Sequence, residues 1–197
     1  MGLVQLQPFI LASNSPRRRR LLANLGLIFE VYPSQSESGR HPSEAPRDFA
    51  QRQAQIKGRD IAAQFPETWT LAADTIVVLG DQIMGKPRHE TEAVDMLLAL
   101  NGRGHQVVTA FCLRHQAAGR EVCRAVTSEV FFKAVTHDTI TAYVATGEPL
   151  DKAGAYGIQG RGGALIDRIA GSYDNVVGLP VAEVIAEMIT WGILRSD

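Results

Sequence analysis

One carboxylate stands inside the most strand-like segment of this chain. Residues 70–79 are rich in β-forming side chains, and Asp74 is the one charged residue among them. An acid is a poor strand former, and burying it is costly unless it is paired, hydrogen-bonded or bound to a cation. The segment therefore predicts a buried strand that carries a functional acid. The alternative is an acid at a strand end that caps a neighbouring turn.

Strand and helix patterns alternate around this segment. A short apolar strand is expected at residues 9–12, and a helix that Gly26 ends follows it. A second helix carries Lys57 and is expected to bury Phe49, Ile56 and Ala63, which recur at seven-residue intervals. Further strands are expected at 29–32, 105–114, 121–132 and 164–169, a hairpin turn at 117–119, and helices around 93–100, 138–146 and 180–191. This order predicts an α/β fold with a mixed sheet.

The composition is that of an ordinary globular protein. The 197 residues carry 20 Lys and Arg against 21 Asp and Glu, which does not suit a chain whose main partner is nucleic acid or an anionic membrane. No apolar run approaches the ~20 residues that span a bilayer, and the first residues lack a basic signal region, so we expect a cytoplasmic protein. Cys112 and Cys123 are too few for a disulfide scaffold, and reduced thiols are expected.

The first helix begins with a pattern typical of an anion site. Ser15 is a suitable N-cap and Pro16 a suitable first helical residue. Arg17 and Arg18 follow in the first turn, where the helix dipole disfavours cations. A phosphate held by backbone N–H groups, serine hydroxyls and guanidinium groups would offset that cost. The alternative is a capped surface helix whose arginines are solvated.

The run of four arginines at residues 17–20 does not form one basic patch. At about 100° per residue the side chains fan around the helix, so Arg20 points roughly opposite to Arg18. Nucleic-acid binding typically uses basic residues along one face of a helix. The spread of these arginines around the helix is therefore evidence against it.

Two later segments offer further candidates for ligand binding. Lys86 lies in a Gly-Lys-Pro turn, from which its ammonium could reach a phosphate, although a turn lysine is usually only solvated. Five glycines between residues 154 and 163 permit close approach of the backbone to a ligand, with an irregular connector as the alternative. The sequence contains no Walker-type phosphate loop, no HExxH zinc motif and no G-x-S-x-G nucleophile elbow.

Three segments, in order along the chain, resemble the motifs of the Maf family of nucleotide pyrophosphatases. They read LASNSPRR, AADTIVVLGDQIMGKP and TGEPLDKAGAYGIQG. The resemblance extends from Ile10 to about Pro180. It implies one domain over residues 1–197 with an α/β fold similar to that of inosine triphosphatase, in which helices flank a mixed sheet and two lobes enclose a cleft.

The resemblance also implies an activity. Members of the family hydrolyse nucleoside triphosphates to the monophosphate and pyrophosphate with Mg²⁺ or Mn²⁺, and many are homodimers. The chain is more similar to the branch that acts on dTTP and UTP, because Arg18 follows Arg17, Thr75 follows Asp74, and Gln159 lies in the glycine-rich loop. Modified pyrimidine nucleotides are further candidate substrates. A weakly active or non-catalytic nucleotide-binding regulator of cell division is the alternative.

The site residues follow from the same resemblance. The family usually has an acidic pair after the second strand, and an alignment without gaps places Glu37 and Ser38 there, so one acid is replaced. The attacking water is expected to be associated with the metal and oriented or deprotonated by Asp74. The catalytic residues are expected to be Asp74, Lys57 and Lys86, the substrate-binding residues Ser13, Ser15, Arg17, Arg18, Thr75 and Gln159, and the metal ligands Asp74 and Glu37.

Overall fold

A computed structural model describes residues 2–196 of the chain. The chain divides into two compact units. The first contains the residues up to Asp74, Thr109–Val126 and the residues from Gly178 on, and the second contains Thr75–Val108 and Thr127–Val177. The chain passes from one unit to the other within three of its strands, so each of these strands contributes residues to both units.

Helices and strands alternate along residues 2–196. The strands are β1 (Leu3–Gln5), β2 (Phe9–Leu11), β3 (Glu30–Val31), β4 (Trp69–Leu79), β5 (Gln82–Met84), β6 (Gly104–His115), β7 (Arg120–Phe132), β8 (Ile166–Ala170) and β9 (Leu194–Ser196). The helices are α1 (Pro16–Ala23), α2 (Pro46–Gln64), α3 (Glu90–Leu100), α4 (His137–Val144), α5 (Tyr173–Val177) and α6 (Val181–Thr190). Three short 3-10 helices lie at Glu148–Asp151, Ala153–Ala155 and Arg161–Leu165.

Seven strands form a mixed sheet, which confirms the predicted α/β class. Their order is β3-β2-β4-β6-β7-β8, and β5 pairs with β4. Strand β2 pairs in parallel with β3 and β4, so that Leu11 lies opposite both Val31 and Leu71. Strand β5 pairs antiparallel with β4, and β8 pairs antiparallel with β7. Sequence patterns missed β5, the short α5 and the antiparallel pair of β1 and β9, because elements of three to five residues carry too little periodicity to detect.

The core of the first unit surrounds the parallel strands. Phe9, Leu11 and Leu71 are fully buried there, together with Leu22 of α1 and Met188 of α6. Burying one such side chain contributes about 1.5–3 kcal/mol to folding. The core therefore holds the strand that carries Asp74 and the helix that follows Ser15 against one another.

Helix α2 buries a different face from the predicted one. Ala63 is exposed, and Phe49 and Ile56 are only half-buried, so the predicted apolar stripe is wrong. The buried residues are mostly small, namely Ala50, Gln53, Ala54, Gly58, Ile61 and Ala62. An added Cβ at Gly58 would lie 3.5 Å from Ala72 Cβ of β4, so the helix approaches the sheet closely at this point. This approach brings the residues next to Gly58 near the middle of β4.

The second unit has its own core around α3, α4 and strands β6 and β7. Leu97, Leu100 and Val130 are fully buried in it. Buried His105 contacts the hydroxyl of Tyr156 through its Nε2, at 2.7 Å. Its burial lowers the pKa of the imidazole to about 4, so the ring is neutral at pH 7.

The two cysteines are joined, contrary to the expected reduced thiols. A disulfide links Cys112 of β6 to Cys123 of β7, whose Cα atoms are 4.1 Å apart. The hairpin brings neighbouring strands into register, and this places two residues 11 positions apart side by side. Among residues 2–196, no helix combines the length and the apolar character needed to cross a bilayer.

Candidate functional site

Lys57 links two carboxylates within the first unit. Its Nζ lies 2.8 Å from Asp74 Oδ1 and 3.0 Å from Glu37 Oε1. The Lys57 and Asp74 side chains are only 14% and 16% exposed, whereas that of Glu37 is 72% exposed. Helix α2, strand β4 and the loop between β3 and α2 each supply one of the three. One ammonium therefore faces two acids that are distant in the sequence.

Asp74 lies within the 11-residue strand β4 rather than at its end. The three residues before it, at positions 71–73, are fully buried, and Asp74 itself is partly buried. The predicted acid inside an apolar strand is confirmed, and the alternative of a strand-end cap is wrong. The ion pair with Lys57 supplies the partner that a largely buried carboxylate requires.

The start of α1 is held together by its own side chains. Ser15 is the N-cap, as predicted, and its Oγ accepts a hydrogen bond from the Arg18 backbone N–H at 3.4 Å. Ser13 Oγ accepts from the Ser15 backbone N–H at 3.2 Å and from Arg18 Nη1 at 3.0 Å. Arg18 Nε also donates to the carbonyl oxygen of Gly178 at 2.7 Å. Ser13, Ser15 and Arg18 thus form one connected group.

The charge of Arg18 is coupled to that of Asp74. Burial of the guanidinium lowers its pKa to about 10, the negative charge of Asp74 opposes this, and Arg17 adds to it. Arg18 consequently stays protonated at neutral pH. Arg17 is partly buried and Arg20 is exposed, so the side chains fan around the helix as the spacing predicts. The first turn of α1 therefore contributes one cation, bonded to Ser13 and Gly178, to the unit that contains Asp74.

The loop that carries Glu37 is held by residues of α2 that the sequence analysis did not select. Gln53 bonds both the N–H and the carbonyl of Ser38. Arg52 donates to Ser38 Oγ and to the carbonyl of Gly39 and forms an ion pair with Glu44, with Nε 2.6 Å from Oε1. The hydrogen bond from Arg52 lowers the pKa of Glu44 to about 2. A glutamine on the buried face of a helix is the one sequence signal that would have pointed to this anchor.

Three predicted site residues belong to the second unit. Thr75 follows Asp74 in β4 and is partly buried, as is Gln159, while Lys86 is exposed and lies two residues after the end of β5. Their part in the site stays a prediction.

The glycine-rich loop that contains Gln159 is organised around Glu148. Glu148 Oε1 accepts hydrogen bonds from the Tyr143 hydroxyl at 3.0 Å and the Gly162 N–H at 3.1 Å, and Oε2 accepts from the Arg161 N–H at 3.0 Å. Gly160 has φ of +96°, a conformation that favours glycine. Gly160 and Gly162 therefore take part in packing this loop around Glu148.

The two carboxylates that face Lys57 suit a hard cation. Asp74 and Glu37 both offer oxygen donors, which Mg²⁺ and Mn²⁺ prefer, and one oxygen of each lies 2.8 or 3.0 Å from the same Lys57 Nζ. A different group, Cys112, Glu121 and Cys123, is the one cluster of three potential ligands among residues 2–196. Its cysteines form the disulfide, and Gln55, Arg59 and Arg114 bond its carboxylate, so it does not suit a cation.

Comparison with known sequences agrees with these features. A family model described as Maf-like protein matches residues 8–190. A dTTP/UTP pyrophosphatase from Geobacter metallireducens is 48% identical to this chain over 94% of it and 96% of that protein. A dTTP/UTP pyrophosphatase from Anaeromyxobacter dehalogenans is 50% identical over 90% of each chain, and one from Yersinia pestis bv. Antiqua is 49% identical over 88% and 87%. The chain belongs to the Maf-like protein family, as the three motifs predict.

Solved structures of lower similarity also match. A HAM1 protein from Coxiella burnetii is 14% identical, covers 92% of this chain and 100% of its own, and has a TM-score of 0.47. A nucleoside-triphosphatase, dITP/XTP pyrophosphatase, from Mycobacterium abscessus is 13% identical, with 94% and 96% coverage and a TM-score of 0.45. At these scores the match says nothing about the site.

Proposed function

We propose that this chain hydrolyses nucleoside triphosphates to the monophosphate and pyrophosphate, with dTTP and UTP as substrates. Relatives that are 45–50% identical over most of the chain bear the name dTTP/UTP pyrophosphatase. The observation that carries the proposal is the contact of Lys57 with both Asp74 and Glu37. That contact joins two acids and a cation in a unit that also places Arg18 within electrostatic reach of Asp74.

The start of α1 would bind the triphosphate. Ser13, Ser15 and Arg18 lie together at the first turn, where their hydroxyl and guanidinium groups would bind the phosphate oxygens. A guanidinium presents several donors in one plane and so suits phosphate oxygens. Arg17 and the ammonium of Lys57 would add to the neutralisation of the phosphate charge.

Asp74 and Glu37 would hold a divalent cation, Mg²⁺ or Mn²⁺. Such a cation, when bound, neutralises charge on phosphate oxygens and lowers the pKa of an attached water. Asp74 lies beside Lys57 in a largely buried position, where it can orient the attacking water and accept its proton. Hydrolysis of this kind needs positioning and charge neutralisation more than covalent chemistry from the protein.

The remaining roles rest on the family resemblance. Lys86 would contact the phosphates, and Thr75 and Gln159 would read the edge of the pyrimidine, including modified pyrimidines. We further propose that residues 1–197 act as one Maf domain, that the protein works in the cytoplasm as a homodimer, and that it does not act on nucleic acid.

The replacement of a family acid by Ser38 is the one feature that favours a non-catalytic regulator. Glu37 nevertheless reaches Lys57 from the neighbouring position. A second carboxylate is therefore available to the site, and this supports the enzyme over the regulator.

Product analysis with labelled water tests the proposal. The protein is incubated with UTP or dTTP and Mg²⁺ or Mn²⁺ in ¹⁸O-water. The products are then separated, and their masses are measured by mass spectrometry. Attack at the α-phosphorus places the label in the monophosphate and leaves pyrophosphate unlabelled. We also expect β,γ-methylene-UTP to be cleaved and α,β-methylene-UTP to resist, because only the second analogue has a stable bond at the proposed cleavage position.

Two outcomes would contradict this proposal. The formation of nucleoside diphosphate and orthophosphate would place the attack at the β- or γ-phosphorus. The absence of turnover with every triphosphate and both metals would favour the regulator.

A further inference from the structure

Gln53 is a buried amide that bonds the backbone of a surface loop. Its side chain lies on the inner face of α2, and the residue is only 3% exposed. Its Oε1 accepts from the Ser38 N–H at 3.2 Å, and its Nε2 donates to the Ser38 carbonyl at 2.5 Å. Both backbone polar groups of one residue are therefore paired with a single amide, much as a neighbouring strand would pair them.

The two bonds fix the position of the residue next to the candidate site. Glu37 directly precedes Ser38, and its carboxylate lies 3.0 Å from Lys57 Nζ. Gln53 and Lys57 are four residues apart in α2, so they lie one turn apart on the same helix face. One turn of α2 therefore holds two consecutive loop residues, Ser38 by its backbone and Glu37 by its charge.

The exposure of Glu37 explains why its position needs such support. Its side chain is 72% exposed, and an exposed ion pair contributes roughly 0–1 kcal/mol. Hydrogen bonds that are shielded from water hold their geometry better, and Gln53 supplies two of them at Ser38. Arg52 adds bonds to Ser38 Oγ and to the Gly39 carbonyl on the outer side of the loop.

We propose that Gln53 is a positioning residue, which holds the Ser38 backbone so that the Glu37 carboxylate stays beside Lys57 and Asp74 and can bind a divalent cation there. The inference rests on the proposed function, because it takes the Glu37 and Asp74 carboxylates as the ligands. Gln53 itself contacts neither carboxylate by a hydrogen bond, and it acts through the loop.

The test uses the full chain without nucleotide and has two readouts. The first is amide hydrogen exchange at Ser38, measured by NMR. In the Gln53→Leu variant we expect this exchange to be at least about tenfold faster than in the wild type, because the N–H loses its buried acceptor. Gln51→Leu is the matched control, since Gln51 is in the same helix but donates to the Cys123 carbonyl, and it should leave the exchange at Ser38 unchanged.

The second readout is binding of Mn²⁺, followed by electron paramagnetic resonance of the free ion. Gln53→Leu should weaken binding about tenfold in the wild-type background. In a Glu37→Gln background the same substitution should change binding by less than about twofold, because residues that act through one another are not additive. Gln53→Met, unbranched like glutamine, replaces Gln53→Leu if the leucine variant does not fold, and the same results are expected.

Equal loss of Mn²⁺ binding in both backgrounds, or unchanged exchange at Ser38 in the Gln53 variants, would overturn the inference. Failure of the wild type to hydrolyse any triphosphate would overturn the proposed function but would move neither readout. The two failures are therefore distinguishable.

Discussion

Lys57 and Asp74 are 17 residues apart in the sequence and form an ion pair with Nζ 2.8 Å from Oδ1. The pair exists because α2 packs closely on β4 through small side chains, next to Gly58. The pair places a positive charge beside Asp74, whose negative charge would otherwise lie without a partner in a strand. The side chains of both residues are mostly buried. Substitutions at Asp74, Arg18 and Ser38 are therefore expected to act through this site.

Asp74→Asn should reduce dTTP and UTP hydrolysis by at least about 100-fold, in keeping with the loss of a central charged group. Asparagine keeps an oxygen that can accept from Lys57, so the free energy of unfolding should fall by less than about 2 kcal/mol. Steady-state kinetics and urea unfolding measure the two effects. Asp81→Asn, at an exposed acid in the turn after β4, is the control and should keep full activity. Retained hydrolysis by the Asp74 variant would remove this residue from the mechanism.

Arg18→Lys should raise the KM for dTTP about tenfold, because an ammonium cannot reproduce the two-directional bonding of a guanidinium. Arg18 uses Nε for the Gly178 carbonyl and Nη1 for Ser13 Oγ. Arg20→Lys is the matched control in the same helix, where the side chain is exposed, and it should leave KM unchanged. Equal effects of the two substitutions would contradict the assignment of Arg18, rather than Arg20, as the arginine that contacts the substrate.

Ser38→Glu should change kcat/KM for dTTP by less than about threefold. Glu37 already contacts Lys57, and a glutamate at position 38 would instead face Arg52, which now bonds the Ser38 hydroxyl. Kinetic comparison with the wild type measures the effect, and Ser36→Glu, two residues earlier in the loop, is the control. A large gain in rate would show that the natural serine impairs the enzyme and would revive the idea of a weakly active regulator.

Stability should fall between pH 7 and pH 5 because of His105. Burial lowers the pKa of this imidazole from 6.5 to about 4, so in this range the unfolded chain binds more protons than the folded one. Stability then rises with pH, and the loss on going from pH 7 to pH 5 should be about 1–2 kcal/mol. Urea unfolding at both pH values, followed by circular dichroism, measures it. His105→Gln cannot titrate and should show a smaller loss, and an equal loss would exclude His105 as the source.

Gly58→Ala should stabilise the protein by about 0.5–1 kcal/mol, because glycine inside a helix costs that much relative to alanine. The added Cβ would lie 3.5 Å from Ala72 Cβ and 3.6 Å from Cys112 Cβ, which are ordinary contacts. Gly104→Ala provides the contrast. Its added Cβ would lie 2.9 Å from Phe131 Cε1, so this substitution should destabilise the protein. Thermal unfolding measures both, and a destabilised Gly58 variant would mean that α2 cannot tolerate any added atom against the sheet.

Local patterns predicted most of the elements correctly. The N-cap at Ser15, the acid inside β4 and the hairpin of β6 and β7 follow from neighbouring residues, and the structure confirms all three. The order of these strands and helices along the chain also predicted the mixed sheet, which the structure confirms. Motifs in three separate segments predicted the family, which the match over residues 8–190 confirms.

Contacts between distant segments could not be predicted in the same way. The seven-residue spacing selected the wrong face of α2, because that helix packs through small residues, which have little hydrophobic signal. The spacing of residues along α2 did not indicate that Gln53 bonds Ser38, which lies 15 residues earlier in the sequence. Each depends on which surfaces meet after the chain has folded.

The amino-acid sequence alone determined the kinds of groups this protein can use and the elements that carry them, since caps, turns and periodicity depend on neighbouring residues. Only the tertiary structure decided that Lys57 meets Asp74 and Glu37 together, and that an amide from α2 holds the loop beside them. The physical reason is that close packing of a helix on a strand, rather than spacing along the chain, sets the distances between charged groups.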